Sequence, residues 1–201
     1  MGLRETKKQQ TRRAIADAAL PLFLEHGFDQ VTVTEVARRV GVSGQTVFNY
    51  FPTKEDLFFD LQAEAEDELA RVVRERPPAG CPVEAVRDHL LEAIDTLSRS
   101  TPERTVQLQF WQAIAASPAL RAREREIGER AEAVLAAELQ EETDIPAPVL
   151  LAGAIAGLRR AVQRELRRRV TAGESETSIR RNLAEPTRTA FDLFCHGLHH
   201  D

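Results

Sequence analysis

Apolar positions recur along this chain with the spacing of α-helices. Ile15, Ala18, Ala19, Leu22 and Phe23 fall at i, i+3, i+4, i+7 and i+8, one stripe that predicts a first helix. Gly27 ends it, because a glycine takes up the left-handed backbone that closes a helix at least cost. Thr32 and Glu35 have the S/T-x-x-E spacing of a capping box, so a second helix begins there and runs through Val36, Ala37 and Val40. Gly41 breaks it, and Ser43 can cap a third, short helix reaching to near Tyr50. Pro52 and Thr53 separate that helix from a fourth. Glu55 and Asp56 sit in its first turn, and Leu57, Phe58, Leu61, Leu69, Val72 and Val73 carry it to the break at Arg76-Pro77-Pro78-Ala79-Gly80.

The same period continues beyond the break. Val83, Val86, Leu90, Ile94 and Leu97 define a fifth helix. Thr101-Pro102-Glu103 starts a sixth with Val106, Leu108, Phe110, Trp111 and Ile114, and Ser117-Pro118 starts a seventh. Pro146 and Pro148 open an eighth that ends at Gly173. A ninth occupies the C-terminal segment, where Pro186 should kink or restart it. No run reads as a convincing strand, and no internal repeat stands out, so the expected class is all-α. No apolar stretch approaches the roughly 20 residues that span a bilayer. The polar start MGLRETKKQQTRR has no apolar core of a secretory signal. A cytoplasmic protein with no membrane contact is therefore expected.

The first four elements suggest chemistry. Two short helices joined by a tight turn after a longer one read as a helix-turn-helix. Val36, Ala37 and Val40 should pack on Val47, Phe48 and Phe51, with Gly41 supplying the turn and Val42 plugging it. That would hold the second short helix on the surface with Gly44, Gln45, Thr46, Asn49 and Tyr50 outward, where it can enter a major groove. Gln45 and Asn49 offer amides that match the adenine edge, and Thr46 can bond a base or phosphate. Tyr50 and Lys54 fall where a phosphate would pass. Thr32, at a helix N-terminus, can serve another phosphate.

The charge supports this only once it is divided. The net charge of −5 argues against a general nucleic-acid binder, yet residues 1–54 carry +3 and the remainder −8. The basic segment from Arg4 to Arg13 could lie along a DNA backbone or in a minor groove. Cys81 and Cys195 are far apart in sequence and have neither metal nor redox spacing, so they read as idle thiols. His196, His199 and His200 read as a frayed tail. Neither a metal nor a cofactor is expected.

The run Val31-Thr32-Val33-Thr34-Glu35-Val36-Ala37-Arg38-Arg39-Val40-Gly41-Val42-Ser43, then Gln45-Thr46-Val47-Phe48-Asn49-Tyr50-Phe51-Pro52-Thr53-Lys54-Glu55-Asp56-Leu57, resembles the DNA-binding region of the TetR family. The likeness covers roughly residues 10–60. Beyond that only length and helical pattern agree. Gly44 departs from it, standing where many members carry a basic or polar side chain. The resemblance implies a three-helix DNA-binding domain over residues 1–53 and a ligand-binding and dimerisation domain over 54–201, linked by the helix from 54. It also implies a homodimer, its last two helices paired across a two-fold axis, released from DNA when a small molecule shifts the fourth helix.

Two-fold binding has its own argument, because one short helix reads few bases and paired half-sites multiply specificity. Gly153, Ala154, Gly157 and Ala161 lie on roughly one side of the eighth helix. With Leu158, Phe191, Phe194 and Leu198 they are candidates for the interface; an intrachain core is the alternative. For a ligand pocket the candidates are Phe110 and Trp111 with Gln107 and Gln112, plus His89 and Arg159. Simple packing is the alternative for the aromatics, and a surface or satisfied histidine for His89. The expected function is a sequence-specific regulator, a repressor bound to an inverted-repeat operator and released by a small-molecule effector. Control by a protein partner is the second reading. An enzyme is the third, but no catalytic triad, phosphate loop or zinc motif supports it.

Overall fold

A computed structural model describes residues 3–78, 80–99, 101–142 and 145–198. The side chains of Arg4, Glu103, His196 and Leu198 lie outside the described set, as do His199 and His200. Among the described residues the regular structure is helical throughout, and it divides into two compact units. The first comprises residues 1–63 and 109–125. The second comprises residues 64–108 and 126–201.

In the first unit, α1 (Leu3–His26) buries Ile15, Ala19 and Phe23, three members of the expected stripe. Gly27 follows with φ of 87°, which an L side chain would resist. The capping box forms as the spacing predicts. Glu35 N–H donates to Thr32 Oγ1 at 3.2 Å, Thr32 N–H donates to Glu35 Oε2 at 2.6 Å, and α2 (Val33–Val40) starts. Gly41 then turns left-handed at φ 75°. Ser43 Oγ accepts from Thr46 N–H at 3.0 Å to open α3 (Gly44–Tyr50).

The helix expected from residue 54 comes in two pieces, α4 (Lys54–Phe58) and α5 (Gln62–Arg74). The Thr53–Asp56 capping box starts α4, and Phe59 leaves the helical region at φ −99° and ψ 53°. The aromatic packing gives the reason. Phe58 stacks on Phe110 with centroids 4.6 Å apart, while Phe59 meets the same ring edge-on at 5.8 Å. Neighbouring residues of a regular helix point about 100° apart and do not share a target. The backbone opens so that both rings reach it. Phe28 and Phe23 extend this cluster, and Ile114 and Leu120 from the 109–125 segment close the core.

The second unit packs α6 (Pro82–Ser98), α9 (Pro148–Thr171) and α11 (Glu185–Leu198) with parts of α5 and of α8 (Pro118–Gln140) around Leu90, Leu135, Leu139, Ile155 and Phe191. The proline-rich break before α6 is pinned by Arg76, which donates to the carbonyls of Val73 and Gly80, each at 2.7 Å, and pairs with Glu142 at 2.8 Å. The C-terminal segment starts as α10 (Glu176–Ile179), widens into a π-helical stretch over Arg180–Ala184 and continues as α11. Pro186 lies in the first turn of α11. Its missing N–H and its ring disfavour regular α-helix one turn earlier, where the wider turn appears.

Candidate nucleic-acid interface

The exposed face of α3 is set by what its other face must bury. Val47 and Phe51 point into the core against Val36 and Ala37, and Val40, Val42 and Tyr50 pack partly against it. Gln45 and Asn49 are left outward one turn apart, with Gln45 Nε2 donating to Asn49 Oδ1 at 3.2 Å. Thr46 shares a hydroxyl hydrogen bond of 2.8 Å with Ser43. A Cβ added at Gly44 would meet nothing within 4 Å, so the backbone there is bare rather than crowded.

Phe48 corrects the sequence reading. It was expected to pack between the two short helices, but it is 45% exposed. One residue after Val47 it is turned by about 100° and joins the outward face with Gln45 and Asn49. Only the difference between Val47 and Phe48 in phase could have revealed this. An exposed aromatic beside two amides suits a thymine methyl next to polar base edges.

The expected phosphate-side residues are already engaged within the fold. Thr32 donates its hydroxyl to Glu35 at 2.8 Å as well as capping α2, so it would have to change partners to serve DNA. The hydrogen bonds from the Thr32 N–H and hydroxyl hold the Glu35 carboxyl below its usual range. Lys54 Nζ lies 4.4 Å from the Phe28 ring centroid, a cation–π contact. Partial burial lowers its pKa against the opposing pull of Asp29 and Glu55. Tyr50 is half-buried. In the basic segment Arg12 turns inward, donating to the Asp60 carbonyl at 2.8 Å with its guanidinium over Phe51. Lys7, Lys8, Arg38 and Arg39 remain exposed cations.

The residues considered for a pocket fall into different settings. Phe110 is committed to the aromatic cluster of the first unit, Trp111 is half-buried in the same segment, and Gln112 is exposed. Gln107 is half-buried within the second unit. There His89 and Arg159 converge on a residue the sequence did not single out. Glu68 takes His89 Nε2 at 3.0 Å and Arg159 Nη2 at 2.6 Å. The bond from His89, ahead of the Arg159 charge, holds the Glu68 carboxyl below its usual range despite burial. Arg159 Nε is buried without a hydrogen-bond partner. A separate open cleft of about 630 Å³ is lined by Leu91, Ile94, Asp95, Arg180, Arg181 and Arg188, and contains none of the expected pocket residues.

Of the expected interface residues, Phe191 is wholly buried in the core of the second unit, among Leu90, Leu135 and Ile155. Its place two turns into α11 gave no hint of which side faced α6. Gly153, Ala154, Gly157 and Leu158 are half-buried, and Ala161 and Phe194 are exposed. Val149, Leu150 and Leu193 are large apolar residues left in solvent that sequence reasoning missed.

Residues 15–61 match the model of bacterial regulatory proteins of the tetR family. This chain belongs to the TetR family. Among its relatives, the transcriptional regulator TcmR of Streptomyces glaucescens is 30% identical over 105 residues, covering 47% of this chain and 46% of that protein. The regulator BetI of Cronobacter sakazakii is 30% identical over 136 residues, covering 65% and 66%. The match with TcmR thus spans about half of that relative's length. Two solved structures share the fold over nearly the whole chain. NalD, the secondary repressor of the MexAB-OprM multidrug efflux pump in Pseudomonas aeruginosa, is 20% identical with a TM-score of 0.60, covering 90% of this chain and 96% of its own. SmeT, in complex with triclosan, is 18% identical with a TM-score of 0.60, covering 90% and 91%. The TetR-family match falls on α1 to α4, the elements that present the face of Gln45, Phe48 and Asn49.

Proposed function

We propose that this TetR-family chain is a homodimeric transcriptional repressor that acts in the cytoplasm, reads an inverted-repeat operator through α3 and leaves it when a small molecule binds. The capped, outward face of α3 carries the reading: Gln45, Thr46, Phe48 and Asn49 are fixed in orientation by a core that holds Val47 and Phe51. Residues that project base-reading groups from a buttressed helix suit direct readout in the major groove. The test is selection of bound duplexes from a random pool. An enriched inverted repeat with half-sites about one helical turn apart is expected, and no enrichment at low salt would refute it.

Release by ligand is supported by the Glu68–His89–Arg159 cluster, whose buried Arg159 Nε still lacks an acceptor. A small molecule with an apolar body and one acceptor suits that setting. Driving the DNA-bound form from 99:1 to 1:99 takes about 5.5 kcal/mol of differential binding. Linkage then requires operator DNA to weaken ligand binding by the same factor. For the dimer, exposed Leu150 and Phe194 with the small residues Ala154, Gly157 and Ala161 provide apolar surface that a second copy can cover.

A further inference from the structure

Cys81 and Cys195 are the chain's only cysteines and stand 114 residues apart, yet the fold brings their Sγ atoms to 3.8 Å within the second unit. We propose that this pair is a modification site, a reversible disulfide formed by hydrogen peroxide. The site does not depend on DNA binding.

The geometry favours closure. A disulfide needs an Sγ–Sγ separation of about 2.05 Å, so the sulfurs must approach by roughly 1.8 Å. Cys81 can supply that movement. It lies just outside α6 in extended backbone, at φ −69° and ψ 125°, and its side chain caps nothing. It is half-buried, so an oxidant as small as peroxide can reach it. Cys195 is buried on α11 beside the core and receives it. Burial, reinforced by Cys81, pushes the Cys195 thiol up to about 12, so this sulfur keeps its proton while Cys81 reacts.

The Cys81 thiolate attacks one peroxide oxygen, the O–O bond breaks, and the departing hydroxide takes a proton to leave as water. Cys81 is now a sulfenic acid. The Cys195 sulfur attacks it, giving up its proton, and the sulfenic hydroxyl leaves as a second water. Two thiols and one peroxide become one disulfide and two waters, with two electrons passed from sulfur to oxygen. The product ties the start of α6 to α11 and closes a long loop.

The experiment treats the full-length reduced protein with hydrogen peroxide and maps thiols by alkylation and non-reducing peptide analysis. Both thiols should disappear together into one intramolecular Cys81–Cys195 link, and dithiothreitol should restore them. The thermal midpoint should rise on the order of 10 °C on oxidation, as expected for so long a closed loop. Cys81→Ser should abolish that rise. Cys195→Ala should leave Cys81 as a sulfenic acid that dimedone traps. Persistence of both thiols, links only between chains, or oxidation of Cys81 that never engages Cys195 would overturn the proposal. If Cys195→Ala fails to fold, the wild-type mapping and Cys81→Ser decide the matter alone.

Discussion

Gln45 donates to Asn49 across one turn of α3 at 3.2 Å, so on the proposed reading the two amides would meet DNA as one unit. The bond uses one donor and one acceptor, and leaves Gln45 Oε1 and Asn49 Nδ2 to complement the adenine N6 and N7. Asn49→Ala should cost about 1–3 kcal/mol at one base-pair position while sparing the rest of the site. Because Gln45 loses its partner in that variant, the double replacement with Gln45→Ala should cost less than the sum of the two. Competition binding against single-base operator variants checks both; a uniform loss over all sequences would remove Asn49 as a base reader.

Lys54 should show two separable losses. Without its ammonium, Lys54→Ala should bind every duplex more weakly with a flatter salt dependence. It should also lose about 0.5–1 kcal/mol of stability, since the cation–π contact with Phe28 goes too. Urea unfolding beside a salt titration of DNA binding measures the two. Unchanged salt dependence would leave Lys54 a purely structural residue.

Phe58 is the centre of the aromatic cluster and is almost wholly buried. Phe58→Ala should destabilise the protein by about 3–5 kcal/mol, visible as an earlier urea midpoint. A cost under about 1 kcal/mol would mean that Phe23, Phe28 and Phe110 collapse into the gap.

Acid pH should expose the role of Glu165. Arg168 reaches it with two bonds of 2.8 Å and Arg169 with one of 2.7 Å, which hold its carboxyl at about 2 against an ordinary 4.5. Its folded pKa lies below its unfolded one. The stability it adds is therefore complete above about 4.5 and is lost as pH falls towards 2. A carboxyl titration followed by NMR should show the midpoint rising towards 4.5 in Arg168→Ala. No movement would deny the pairing.

Phe191 and Phe194 lie one turn apart and should fail differently. Phe194→Glu, at an exposed position, should yield a folded monomer in sedimentation, whereas Phe191→Ala should unfold the second unit at lower urea. A Phe194→Glu protein that remains dimeric would place the interface elsewhere.

These contrasts show what local pattern can carry. Thr32 with Glu35, Gly41 and Ser43 announce α2 and α3 because a cap is a short-range bond whose two partners lie within four residues. The outward places of Gln45 and Asn49 followed from the same period, while Tyr50, expected beside them, packs partly against the core; the family likeness rested on the same stretch. Phe48 was misplaced because a 100° step between neighbours is finer than an apolar count resolves. The opening after Phe58 was invisible because its cause, Phe110, lies 52 residues downstream. Cys81 with Cys195, and Glu68 with His89 and Arg159, are likewise meetings of distant segments, on which periodicity is silent.

The α3 platform rests partly on Phe110, Ile114 and Leu120, with Ser117 bonded to Asp29 at 2.9 Å and Arg123 paired to Asp56. The N-terminal 63 residues therefore lack part of their own interior. During synthesis their core cannot close until the chain has passed Arg123, because the residues that complete it follow so far behind. Expressing that segment alone would yield a loosely packed fragment, and a frameshift before residue 109 silences the reader as surely as one inside it.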